Sequence, residues 1–94
     1  MPSNSNDLKP SKFELVVYVR DPQKLVYKGI VKSVTAVNSK GIFDILGVHE
    51  NFITIIKDKI IVRTEHEEKE FPVVQGILKV EENVVHVFLG TESI

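Results

Sequence analysis

The chain has 94 residues, of which 43% are hydrophobic and 27% charged, and it carries a formal net charge of −1. That length holds a single domain with one core, and the balanced charge lacks the positive excess typical of nucleic-acid binders. With no cysteine, disulfide frameworks and thiolate zinc sites are excluded. No apolar run approaches the ~20 residues that cross a bilayer. No basic amphipathic helix is patterned to lie on lipid, and the N-terminus has neither the basic start nor the apolar stretch of a secretory signal.

Residues 1–12 are polar, with two prolines and no apolar period, and read as a flexible N-terminal arm before a domain over 13–94. From Phe13 onward the hydrophobic period is two, the signature of half-buried strands. Leu15, Val17 and Val19 alternate with Glu14, Val16, Tyr18 and Arg20 in a first strand that ends at Asp21-Pro22. Leu25 to Lys28 is a short second strand stopped by Gly29, and Ile30 to Val37 a third, rich in β-branched residues. Asn38-Ser39-Lys40-Gly41 is a turn, Ile42 to Leu46 a strand, and Gly47 to Asn51 a loop.

Phe52 to Ile56 and Ile60 to Thr64 read as a hairpin across Lys57-Asp58-Lys59. A second hairpin turns at His66 to Lys69 and returns through Glu70 to Val74, and Gln75-Gly76 marks another break. Ile77 to Val80 and Val84 to Leu89 pair across Glu81-Glu82-Asn83. Turn signals at this spacing predict an all-β, two-layer antiparallel β-sandwich of about ten short strands. Pro72 would remove a ladder hydrogen bond and predicts an edge or bulge position.

The residues that do chemistry elsewhere are not assembled here. His49, His66 and His86 are far apart and lack the short helical spacings that put two ligands on one face, so they read as a loop residue, a solvated turn and a strand surface. The acidic run Glu65 to Glu70 contains no glycine, unlike a calcium loop, and reads as a charged hairpin tip. The five glycines are isolated, and Gly41 is not followed by the Lys-Ser or Lys-Thr of a phosphate-binding loop. Aromatics make up 7% of the chain, without interleaved arginines, which argues against a stacking platform for single strands. No catalytic residue, metal site or cofactor is predicted, and the domain acts through its surface.

Three stretches carry a family resemblance. Leu15 to Pro22 followed by Val26-Tyr27-Lys28-Gly29-Ile30-Val31-Lys32-Ser33-Val34 is similar to a first strand, a turn, and an aromatic closely followed by glycine and an apolar-polar strand. Gly41-Ile42-Phe43-Asp44-Ile45-Leu46-Gly47-Val48-His49-Glu50-Asn51-Phe52 resembles a pattern Gly-Glu-Leu-Gly-Ile-Leu-Pro-Gly-His-Ala-Pro-Leu, followed here as there by an apolar-Thr strand ending in Lys. Gln75-Gly76-Ile77-Leu78-Lys79-Val80 and the turn after it are similar to Gly-Gly-Phe-Leu-Glu-Val and a polar turn. In this order the stretches resemble the N-terminal β-sandwich domain of the F-type ATP synthase epsilon subunit, the delta subunit of mitochondria. The sequence departs from the pattern at Asp44, at Gly47-Val48 and at Glu50-Asn51.

The resemblance implies a non-catalytic central-stalk subunit that binds the gamma subunit and the membrane rotor ring of c subunits, coupling ion-driven rotation to ATP synthesis. It implies a peripheral place on the cytoplasmic face of the inner or plasma membrane, held there by the complex. Transferred onto matching positions, it places Val19, His49, Phe52 and Thr54 against gamma and Ser39, Lys40, Gly41 and Ile42 against the ring. On their residue types alone, Phe52 is a core residue, Gly41 a turn glycine and Lys40 a solvated charge. The family's C-terminal helical hairpin, which regulates ATP hydrolysis, has no counterpart in the sequence through Ile94. A free-standing β-sandwich interaction module is the competing reading.

Overall fold

The structure, a computed structural model, describes residues 9–48 and 50–90. The described residues form seven strands and no helix: β1 (Leu15–Arg20), β2 (Leu25–Val31), β3 (Ser33–Asn38), β4 (Gly41–Leu46), β5 (Phe52–Arg63), β6 (Glu68–Glu81) and β7 (Val84–Leu89). They run in one continuous ladder, β2-β1-β7-β6-β5-β3-β4. The all-β class predicted from the period-two pattern is therefore present, but neither the count of about ten strands nor the uniformly antiparallel pairing is. β1 pairs with β7 in parallel, Tyr18 opposite His86, and every other pair is antiparallel.

The count falls because two expected breaks are bends inside long strands. β5 continues through Lys57-Asp58-Lys59 with a register shift between Ile56 and Asp58, and Asp58 takes φ 66°. Across that shift one residue of β5, Lys57, faces two of β6, Val74 and Gln75, a bulge that kinks the paired strands without ending either. β6, which carries the extra residue, runs on through Gln75-Gly76 without a break. The break predicted at Gly29 falls instead at Lys32, between β2 and β3.

The bend divides the ladder into two halves. The first contains β2, β1, β7, the later half of β6 and the first half of β5, with Phe52 opposite Val80. The second contains β4, β3, the later half of β5 and the first half of β6, with Val62 opposite Val34 and Lys69. Leu15, Val17 and Val19 of the first half share one buried cluster with Val34, Ile45 and Ile60 of the second. Strands that far apart in a flat ladder cannot touch, so the sheet is folded over its own apolar face. Aromatic pairs close both open sides: Tyr27 of β2 meets Phe71 of β6 at 5.6 Å between ring centroids, and Phe43 of β4 meets Phe52 of β5 at 6.1 Å.

The turns follow their local chemistry. Glu82 and Asn83 both have positive φ (51° and 65°), as a two-residue hairpin loop with the twist of its strands requires. The Asn83 amide also donates to the carbonyls of Lys12 and Glu14 at 3.3 and 3.4 Å, fastening the chain just before β1. Asp21 Oδ1 accepts the N–H groups of Gln23 and Lys24, both at 2.8 Å, and these bonds hold its carboxyl below the ordinary range. Thr64 Oγ1 accepts from His66 and Glu67 in the β5–β6 turn. Pro72 lies within β6 opposite Lys59, on the margin of the second half, where no further strand needs its missing N–H. Of the expected N-terminal arm, residues 1–8 lie outside the described residues.

Candidate interaction surface

The β3–β4 turn is a built feature. Asn38 faces Gly41 across it, and Asn38 Oδ1 accepts the Lys40 N–H at 2.9 Å. Asn38 Nδ2 donates to Thr54 Oγ1 at 3.2 Å, tying the turn to the start of β5. Gly41 has φ +122°, a conformation that disfavours side chains. The result is a fixed knuckle with Ser39 and Lys40 exposed and Ile42 70% exposed at its flank.

The structure thus gathers Ser39, Lys40, Gly41, Ile42 and Thr54 in one place, with Phe52 two residues away on β5. Phe52 is half-buried and packs on the core, with its ring against Phe43. Val19 stands apart: its side chain is wholly buried in the cluster and presents no surface in the free chain. The alternation of β1 dictates that position, with Leu15, Val17 and Val19 inward and Tyr18 and Arg20 outward. His49 lies outside the described residues.

A groove of about 660 Å³ runs between the knuckle and β5, lined by Ser39, Ile53, Ile55, Lys57 and Ile77 among others. Ile53 and Ile55 are 64% and 63% exposed. They open onto the outer face of the first half, where the registers set out two rows. One row is Ile55–Ile77–Phe88–Arg20 and the other Ile53–Lys79–His86–Tyr18–Lys28. Ile77 and Phe88 are 46% and 43% exposed, so the first row is an apolar band capped by a guanidinium. A contiguous exposed band of this kind marks a contact surface.

The second row is aromatic and cationic. The His86 ring is stacked between Tyr18 (5.5 Å, 12°) and Phe88 (6.1 Å, 10°). Arg20 and Lys28 lie over the Tyr18 ring at 5.3 and 5.8 Å. Burial within this stack, then repulsion from Arg20 and Lys79, holds the His86 pKa below its usual value, and Glu81 opposes the effect.

Sequence reasoning placed the knuckle but missed this face. Its signal was the run Phe52-Ile53-Thr54-Ile55-Ile56, apolar at both parities where a half-exposed strand alternates.

Comparison with known proteins places the architecture. The family model described as "ATP synthase, Delta/Epsilon chain, beta-sandwich domain" matches residues 14–91. No curated protein sequence matches the chain. Among solved structures, a chain of the Euglena gracilis mitochondrial ATP synthase (OSCP/F1/c-ring, rotational state 1) superposes with a TM-score of 0.76 at 14% identity. That match covers 95% of this chain and 57% of the Euglena chain, so the present chain spans well under two thirds of it. A chain from the central stalk and c-ring of the Tetrahymena thermophila mitochondrial ATP synthase gives 0.70 at 16% identity, covering 89% of this chain and 67% of that one. At such identities the two superpositions speak for the fold.

Proposed function

The chain belongs to the ATP synthase delta/epsilon β-sandwich family, and on that premise we propose that it is a non-catalytic subunit of the central stalk, gripped by the gamma subunit and seated on the c-ring. In this reading gamma covers the apolar band and the groove, with Thr54, Phe52 and the loop bearing His49 at its margin. Val19 supports that contact from the core side of β1. The knuckle Ser39-Lys40-Gly41-Ile42 approaches the polar loops of the ring. The protein then lies peripherally on the cytoplasmic face of the inner or plasma membrane, held by its complex.

One observation supports this assignment above the rest: the apolar band and the fixed knuckle adjoin on a body with a single core. A coupling element carries load between two partners, so it requires two contact sites and a stiff connection between them. Close packing supplies the stiffness, and a stable interface buries roughly 800 Å² on each partner. The band and its groove offer apolar anchors of the type that dominate such contacts.

Reconstitution of the full chain with purified gamma and c-ring tests the reading. The expected result is a ternary complex in which Lys40→Glu weakens seating on the ring while gamma binding persists. A Lys40→Glu chain indistinguishable from wild type refutes the knuckle's contact with the ring; a chain that joins neither protein refutes the assignment and leaves the interaction-module reading in its place.

A further inference from the structure

The aromatic-cationic end of the outer face has a feature that packing alone does not account for. Arg20 Nη1 is shut off from water and has no hydrogen-bond partner. A guanidinium nitrogen in that state has lost its hydration without gaining a hydrogen bond, which is costly. Two further cations stand near it on this face. Lys28 lies across Tyr18 from Arg20, and Lys79 stands opposite His86. The acid nearby, Glu81, is already bridged to Lys79 at 3.3 Å.

Arg20 also ends the apolar row, opposite Phe88. An arriving protein segment that covers Phe88 and Ile77 therefore meets the guanidinium next. A carboxylate on that segment would give the arginine an acceptor, drawing its side chain out of an unsatisfied position. The pair would form beside stacked rings that exclude water, where charge-assisted hydrogen bonds are strongest.

From these observations we propose that Arg20 is the anchor for a carboxylate on the partner, and that the outer face of β1 and β7 receives an acidic segment whose apolar residues continue onto Phe88 and Ile77. The inference rests on the gamma reading above: the segment belongs to the protein that grips the apolar band. Arginine suits the task because its planar fork matches a carboxylate while its flat face stays on Tyr18.

The test is a calorimetric titration of the full chain against purified gamma subunit of the same enzyme. Arg20→Met, which keeps the stem over Tyr18 and deletes the charge, should weaken binding roughly tenfold or more. Lys69→Met removes an equal charge from the distant start of β6 and should change affinity less than about twofold. Binding by the unaltered chain should weaken as salt rises from about 50 to about 300 mM, a readout independent of whether any variant folds. Salt-insensitive binding, or Arg20→Met within about twofold of wild type in a folded variant, overturns the anchor. If Ile55→Asp with Ile77→Asp abolishes binding while Arg20→Met does not, the grip on the band stands and the carboxylate is rejected. If the unaltered chain does not bind gamma, both fall.

Discussion

Gly47, just past the end of β4, lies directly against the backbone of Phe13. A Cβ at this position would run into the Phe13 carbonyl carbon and lie 2.6 Å from its Cα and oxygen. Those are backbone atoms, so no rotamer change can make room. Gly47→Ala must drive the segment leading into β1 away from the end of β4 by about 1 Å, and overpacking of that kind costs about 3 kcal/mol. A domain of this size has about 5–14 kcal/mol of stability in total. Each kcal/mol moves its melting temperature by about 4–8 °C, so the variant should melt about 12–24 °C lower. Differential scanning calorimetry reads the shift directly. Phe13→Ala provides the internal control: the Phe13 side chain is 64% exposed, and trimming it leaves the obstructing backbone in place. Adding it to Gly47→Ala should restore nothing. A single variant melting within about 2 °C of wild type, less than the shift of 1 kcal/mol, would refute the packing argument, as would rescue by Phe13→Ala.

Three further outcomes follow from the same geometry. Ile55→Asp with Ile77→Asp changes side chains that are already exposed, so the melting temperature should move by a few degrees at most while gamma affinity falls at least about a hundredfold, measured by calorimetry. Asn38→Ala removes both the Lys40 N–H acceptor and the donor to Thr54; it should cost about 1–2 kcal/mol and speed amide exchange at Lys40, read by NMR. His86 has a depressed pKa in the folded chain, through burial in its stack and then repulsion from Arg20 and Lys79, with Glu81 opposing; Lys28 adds a further positive charge beside Tyr18. The unfolded chain therefore takes up a proton before the folded one does. Stability holds above the unfolded value of 6.5 and declines as pH falls from there through the depressed value. In His86→Phe, which keeps a ring in the stack, melting temperatures between about pH 7 and pH 5 should lose that share of their slope; an unchanged slope would exclude His86 as its source.

The sequence displayed most of the strands because one face of each is buried, which leaves a period of two. β1, β4 and β7 lie where the alternation and its punctuation placed them. What it concealed was the difference between a bend and a turn. Lys57-Asp58-Lys59 and Gln75-Gly76 have turn chemistry, but a bulge draws on the same residue types for the same left-handed or crowded backbone. Only the partner strand determines which one forms, and β6 bends alongside β5. The parallel pairing of β1 with β7 was hidden for a related reason: pairing order depends on contacts remote in sequence.

Site legibility followed the same division. Asn38 and Gly41 are local turn signals, so the knuckle could be read directly. Val19 entered by family resemblance, whereas its own alternation with Tyr18 placed it inside. Arg20 and Phe88 are neighbours only through the parallel pair, and nothing local to either residue signals that.

On the proposed reading, the architecture also accounts for how such a small body could carry torque. A sandwich made of separate sheets can shear between its layers, resisted by side-chain packing alone. Here β5 and β6 pass through both layers, so relative sliding would have to break paired backbone or change the kink at Asp58. Aromatic pairs fasten the two open sides. β1 and β7 lie side by side within the ladder, with Asn83 clamping the chain ahead of β1. Under the proposed contacts, load enters at Ile53 and Ile55 and leaves through the knuckle. The path between them is the Asn38–Thr54 hydrogen bond and the Phe43–Phe52 contact, one side chain from each layer. Stiffness over that short span is what coupling demands, and it requires no catalytic group.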